Sequence, residues 1–378
     1  MKMTTNYDAH PVFVELAEMF SAVKVMGPPM SEKLIALVSH LFSLDEAHLC
    51  RHLSFIYPKT LKQIARKSGV HPDALAPMLE EMCRKRTIIT IANRFMLYPL
   101  IPGMFEHVLR IDNASEWHVV YADLMNGLVE TGYMDDYFRK PVNAIRSLPV
   151  ERAVEAHSVI IDTDLVSEMI GSHKHFGVYH ICPCRNSMHL TGHDCSRASR
   201  HDGCLTFGDY SLGLAREGNG RTVSREELRD IVEERWAKNL VFFTSNAVPS
   251  VQTAICTCCD CCCRALKIHN SLHKNFVAPP HVIAEVDESL CTNCGRCGAV
   301  CNTHAHILEN GEHGYVQELC IGCGNCVSAC NNKAITMTEN RSYRPPSRSH
   351  ARLIMTMLPA VLLTGTRIKM KRYFSGSR

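Results

Sequence analysis

At 378 residues and 42.4 kDa the chain can fill two or three domains of roughly 100–200 residues, each with a core of its own, so small disulfide-stapled scaffolds are excluded. Its 46% hydrophobic and 21% charged residues describe a globular protein, and no apolar run reaches the roughly 18 residues of a membrane-spanning helix. The net charge of +3 is unevenly spread: residues 341–378 carry nine Lys or Arg and no Asp or Glu, leaving 32 basic against 38 acidic residues elsewhere.

Met1–His10 hold one lysine and no apolar stretch of the kind a secretory signal needs, so a cytoplasmic location is expected. From Ser31 to about Leu97 the pattern reads helix, helix, helix, hairpin. Thr60 and Gln63 have capping-box spacing, and Gly69 suits a left-handed helix end. Leu75, Met78, Leu79 and Met82 recur on one helical face, and Thr87–Ile91 and Phe95–Leu97 flank a turn at Asn93. This order resembles a winged helix-turn-helix domain, assigned to residues 1–100. DNA recognition needs exposed cations at the leading end of one helix, yet residues 72–82 contain Asp73, Pro77, Glu80 and Glu81 and no Lys or Arg. Lys62, Arg66, Lys67, Arg84, Lys85 and Arg86 are nearby, as they are on many solvated helices, so docking or dimerisation is expected rather than nucleic-acid binding.

Residues 101–280 read as a mainly helical, cysteine-rich middle domain with a few strands. Ser224 and Glu227 suggest another capping box ahead of Leu228, Ile231 and Val232, with a strand at Leu240–Phe243 and another at His281–Val286 leading into the next module. Residues 281–340 form that module. Arg341–Arg352 read as a flexible linker opening a basic tail, 341–378. The uncharged Leu353–Thr366, interrupted by Pro359 and flanked by Arg348, Arg352, Arg367, Lys369, Lys371 and Arg372, is too short to span a membrane. It suits peripheral contact with the inner membrane, or with a partner subunit. The overall fold class expected is α+β and multidomain.

Eighteen of the twenty cysteines lie between Cys182 and Cys330, and only Cys50 and Cys83 lie outside. In a reducing compartment such spacings argue for metal or iron–sulfur ligation over disulfides. Cys291, Cys294, Cys297 and Cys301 repeat as Cys320, Cys323, Cys326 and Cys330: C-x2-C-x2-C-x3-C twice, separated by eighteen residues. The chain is similar here to two-cluster bacterial ferredoxins at all eight ligand positions. The resemblance implies one [4Fe-4S] cluster on Cys291, Cys294, Cys297 and Cys330 and a second on Cys320, Cys323, Cys326 and Cys301, the fourth cysteine of each motif serving the other cluster. Gly295, Gly298, Gly322 and Gly324 suit tight turns, and Ala305 and Ala334 match the small residue that follows each motif. Asn302 and Asn331 stand where that family usually has proline, and His306 where it has isoleucine.

A second set comprises Cys182, Cys184, Cys195, Cys204, Cys256, Cys258, Cys259, Cys261, Cys262 and Cys263. Thiolates this dense repel one another unless a cation neutralises them. A third iron–sulfur cluster is the first reading, with no means of choosing four ligands among ten. Zinc competes, because His189, His193 and His201 interleave with Cys195 and Cys204, and a thiol redox pair is a third choice. The module order resembles the multi-cluster 4Fe-4S-binding proteins of anaerobic bacteria. No G-x-G-x-x-G follows a clear strand, no Walker loop occurs, and Gly218-Asn219-Gly220 reads as a turn, so electrons are expected to come from and go to protein partners. The expected role is single-electron relay. A redox-responsive DNA-binding regulator and a subunit of an anaerobic oxidoreductase are the alternatives.

Overall fold

The computed structural model describes residues 10–22, 26–138, 140–155, 165–272 and 276–375. Residues 1–9, the body of the stretch read for a signal, lie outside that set, as do the side chains of Lys369, Lys371 and Arg372. Contacts divide the chain into two compact units with a break between Tyr137 and Phe138. The first unit also takes Leu190–Gly192 and the chain from Val361; the second is Phe138–His189 with His193–Ala360.

The first unit begins with helices α1 (Pro11–Phe20), α2 (Glu32–Leu41) and α3 (Leu44–Cys50), then strand β1 (Lys59–Thr60), α4 (Leu61–Ser68), α5 (Pro72–Arg84), β2 (Ile88–Ile91) and β3 (Arg94–Leu97). Thr60 and Gln63 form the reciprocal box that starts α4, and Gly69 ends it with φ of 74°. On α5, Leu75, Leu79 and Met82 are buried and Met78 is half-buried, while Pro77 sits on the exposed side. Ala92 and Asn93, with φ of 48° and 60°, make a two-residue turn between β2 and β3. The three strands form an antiparallel sheet in the order β1-β3-β2. The strand β1, only two residues long, had no signal in the hydrophobic pattern. Helices α6 (Phe105–Val108), α7 (Glu116–Val129) and α8 (Tyr133–Phe138) follow. Trp117 of α7 stacks on His40 of α2 at 5.0 Å, and its Nε1 donates to the His40 carbonyl at 3.1 Å.

In the second unit the middle segment has more residues in helices than in strands, and its short strands join in one six-stranded antiparallel sheet. Its strands are β4 (Ile145–Leu148), β5 (Phe176–Tyr179), β6 (Leu205–Phe207), β7 (Gly220–Val223), β8 (Val241–Ser245) and β9 (Ala254–Cys258), in the order β4-β8-β9-β6-β5-β7. Most are buried on both faces, so the polar–apolar alternation that reveals a half-exposed strand is missing from the sequence. The connecting helices are α9 (Glu151–Glu155), α10 (Val166–Ser172), α11 (Pro183–Leu190), α12 (Asp209–Arg216), α13 (Arg225–Ala237) and α14 (Arg264–Leu272). Successive side chains of β8 go to opposite faces. Phe242 joins Leu205, Phe207, Ile255, Leu228, Val232 and Trp236 on one side, and Val241 and Phe243 join Cys258, Cys263, Leu266, Val277 and Ile321 on the other.

The first of these cores runs without interruption into Val282, Ala284, Ile335 and Met337. These residues belong to β10 (Val282–Val286) and β13 (Ile335–Glu339), which pair antiparallel at the two ends of the dicluster module. Between them lie α15 (Arg296–Val300), the hairpin β11 (His306–Glu309) and β12 (Glu312–Tyr315), and α16 (Asn325–Ala329). The segment after β13, expected as a flexible linker, is held by backbone hydrogen bonds of Ser347 with Asn246 and Val248. The last helix, α17 (His350–Ser375), leaves Ile354, Met355, Leu358, Leu362 and Leu363 exposed. Among the described residues no helix is long and apolar enough to cross a membrane.

His107 of α6 stacks on Tyr98 at 4.5 Å, and burial, followed by the charges of Arg110 and Arg86, pushes its pKa down to about 4. A histidine held neutral in the fold contributes stability above its unfolded pKa of about 6.5, and loses it as pH falls toward the folded value. Thermal unfolding from pH 7 to 4 should therefore show a His107→Gln variant losing less stability than the parent chain across that window.

Candidate metal centres

The eight cysteines of the repeated motif surround two separate cavities. Cys291, Cys294, Cys297 and Cys330 line one, and Cys301, Cys320, Cys323 and Cys326 line the other. The helix that follows each triple-cysteine loop ends at its fourth cysteine, which lines the cavity of the other motif.

These surroundings suit iron–sulfur clusters. The backbone N–H of Ala305 donates to Cys301 Sγ at 3.2 Å, and that of Gly322 to Cys320 Sγ at 3.4 Å, as sulfurs carrying cluster charge require. A Cβ on Gly322 would stand 2.1 Å from the Val282 carbonyl, and its φ of 69° disfavours any side chain. Val150 N–H donates to the Cys323 carbonyl at 2.9 Å, and the Ser147 hydroxyl to the Ile321 carbonyl, fixing the second loop on the sheet. Burial, then the Cys301 charge, pushes Cys323 up to about 12, and burial pushes Cys326 up as well. Such thiols ionise only when a cation replaces the proton, which is what cluster irons do.

The ten middle-segment cysteines form two groups. Cys195, Cys259, Cys261 and Cys262 have all their sulfurs within 4.8 Å of one another, with Cys195 at 3.5 Å from both Cys259 and Cys261, and Cys261 at 3.6 Å from Cys262. The other six gather around β9. Cys204 lies 3.7 Å from Cys256, Cys258 and Cys263 share one apolar cluster, and Cys184, Cys258 and Cys263 interact electrostatically, as Cys182 does with Cys256 and Cys263. The run Cys256–Cys263 is thus divided by strand pleating: Cys256 and Cys258 point to one face of β9, and the chain leaves the strand with Cys259 in the opposite core. The ten cysteines considered together as candidate ligands therefore do not come together in one place.

No histidine joins the four-sulfur group among the described residues, so the mixed Cys–His reading of His189, His193 and His201 does not hold there; His189 pairs with Asp194 at 2.6 Å. Cys50 is buried in the first unit, and Cys83 contacts Thr90.

Arg185 is the cation both groups share. Only 1% exposed, it donates to the carbonyls of Asp202 at 2.9 Å and Thr257 at 2.7 Å. Burial opposes its charge, but Cys182, Cys259, Cys195 and Cys258 more than offset this and raise its pKa. Its adjacency in Cys184-Arg185 was visible in the sequence, but its reach into two thiol groups was not.

Asn302, the departure from proline, has a structural role. It is buried, accepts from the Asp260 N–H at 3.1 Å and donates to the Asn239 carbonyl at 2.9 Å, tying the residue after Cys301 to the loop that bears Cys259 and Cys261. His306, the other departure, is paired with His313 at 3.0 Å and stacked on Tyr315 beside Cys297, and burial followed by the His313 charge pushes it down to about 4.

A family model described as a 4Fe-4S dicluster domain matches residues 290–335. No curated protein and no solved structure matches the chain. The protein is an iron–sulfur protein with a ferredoxin-like dicluster domain.

Replacing Asn302 by Ala should lower stability by about 1–3 kcal/mol for each buried group left without a partner. All eight motif cysteines remain, so iron content should be unchanged while the denaturation midpoint falls; an unaltered midpoint would remove Asn302 from the account.

Proposed function

We propose that this protein relays single electrons between protein redox partners through the two dicluster centres and a third iron–sulfur centre, with ligands drawn from Cys182, Cys184, Cys204, Cys256, Cys258 and Cys263. The observation that carries the reading is shared packing. Cys258 and Cys263 lie in one apolar cluster with Ile321 and Cys323, which puts the six-thiol group directly against a dicluster loop. When bound, the clusters supply one-electron redox chemistry at potentials set by charge, burial and hydrogen bonding. The chain's own residues do the rest: the apolar cluster excludes water, Arg185 offsets thiolate charge, and backbone N–H groups hold the ligand sulfurs. The sequence carries no dinucleotide or Walker loop, which supports protein donors and acceptors.

We read the first unit as winged-helix-like and as a docking module. Its helix–strand–helix–helix–hairpin order supports the likeness. Three of its basic residues are engaged internally: Arg84 with Glu81 at 2.6 Å, Lys85 with Glu46 at 2.5 Å, and Arg86 with the carbonyls of His107 and Arg110 at 3.0 and 2.8 Å. That speaks for protein contact over DNA. The exposed apolar side chains of α17, set among basic residues, add a second docking surface toward a partner subunit or an anionic membrane face.

Anaerobically purified chain should hold about twelve iron and twelve sulfide if three cubanes are present. Changing Cys258 and Cys263 to serine should remove about four of each and one low-temperature EPR signal of the reduced protein. A parent chain with about eight iron would reduce the relay to the dicluster alone. In a gel-shift titration at low salt the protein should leave duplex DNA unretarded; a salt-dependent shift would make it a regulator instead.

A further inference from the structure

We propose that Cys195, Cys259, Cys261 and Cys262 hold one tetrahedral metal ion of the zinc class, separate from every iron–sulfur centre of the chain and independent of whether the six-thiol group carries a cluster.

The argument begins with spacing. A single ion with metal–sulfur bonds of about 2.3 Å holds four ligand sulfurs about 3.8 Å apart. The four sulfurs here all lie within 4.8 Å of one another, with closest approaches of 3.5, 3.5 and 3.6 Å. In a cubane or a two-iron cluster some cysteines bind different irons, with sulfide between them, which spreads the ligand sulfurs wider than a single ion does. The space enclosed by these four sulfurs takes one ion. An all-thiolate tetrahedral set is the donor chemistry of structural zinc, with no position left open for water or substrate.

The surroundings are built for that charge. Four thiolates on a divalent ion leave a net charge of −2, and two guanidiniums face it: Arg185 interacts with Cys195 and Cys259, and Arg197 with Cys261 and Cys259. Arg197 also grips Asp260, the residue between the ligand pair Cys259 and Cys261, through Nε at 2.8 Å and Nη2 at 3.0 Å. The Cys261 N–H donates to Asp260 Oδ1 at 3.0 Å, so the ligand loop is shaped by its own carboxylate.

The position gives the ion a task. The Asp260 N–H donates to Asn302 Oδ1 at 3.1 Å, and Arg197 donates to the Ala299 carbonyl at 3.3 Å. Both anchors flank Cys301. A redox-inert ion at this loop fixes the backbone on either side of a cluster ligand and leaves electron flow to the iron centres.

The test uses the full chain, expressed in medium containing both iron and zinc, purified anaerobically and passed over a chelator column. About one zinc per chain is expected, with four sulfurs at about 2.3 Å in its X-ray absorption spectrum. A Cys261→Ser/Cys262→Ser variant should lose the zinc and keep all its iron and sulfide. Absence of zinc from the parent chain, a nitrogen or oxygen ligand in the zinc shell, a single iron in its place, or loss of about four iron from the variant would each overturn the assignment. If that variant does not fold, Cys195→Ser and the spectrum of the parent chain decide the matter. A parent chain with one sulfur-bound zinc but only about eight iron would sustain this site while removing the third cluster.

Discussion

Thiolates packed at van der Waals distance repel one another, and the second unit is shaped by the need to answer that repulsion. Eighteen cysteines fall between Cys182 and Cys330, far more than a core of this size could bury as neutral side chains without purpose. The structure answers with separation and compensation. The sulfurs are parcelled into four groups; the Cys301, Cys320, Cys323 and Cys326 group meets backbone N–H donors, and the two middle groups share the buried Arg185. Arg185, held by two carbonyls with almost no exposure, has the two thiol groups on either side to offset the cost of burying its charge.

The separation itself follows from strand geometry. A strand sends alternate side chains to opposite faces, so Cys256 and Cys258 share one face of β9 while Ile255 joins the other core. Cys259, the next residue, enters the core of Ile255, and the turn after it returns Cys261 and Cys262 to the same place. Cys263, at the start of α14, goes back to the face of Cys258. Six cysteines within eight residues are therefore divided between two thiol groups.

The dicluster module is joined to this arrangement by polar side chains at its surface. Asn302 and Asn325 both donate to the Asn239 carbonyl at 2.9 Å, and Asn302 also receives the Asp260 N–H. A proline after Cys301 could make none of the side-chain bonds of Asn302. The departure from the ferredoxin pattern thus serves a module packed against the cysteine-bearing loop of Asp260.

Much of this was legible beforehand. The duplicated motif picked out the eight cysteines that line the two cavities of the dicluster domain, because spacing along the chain limits where each sulfur can reach. The box at Thr60, the end at Gly69 and the turn at Asn93 were readable because capping and turn chemistry are local, whereas at Ser224 only the N-cap bond from Glu227 N–H forms and the Glu227 carboxylate goes to Arg221 instead of closing a box. The six-stranded sheet was not readable, since strands buried on both faces lose the period-2 signal. Nor was the division of the ten remaining cysteines. It depends on β9 pairing with β6 and β8, and on Cys195, sixty-four residues earlier, arriving beside Cys259. The sequence by itself determined that a 4Fe-4S dicluster domain is present and which cysteines repeat at its spacing; only the tertiary structure decided which thiols meet, because strand pairing and burial bring together sulfurs that the chain keeps far apart.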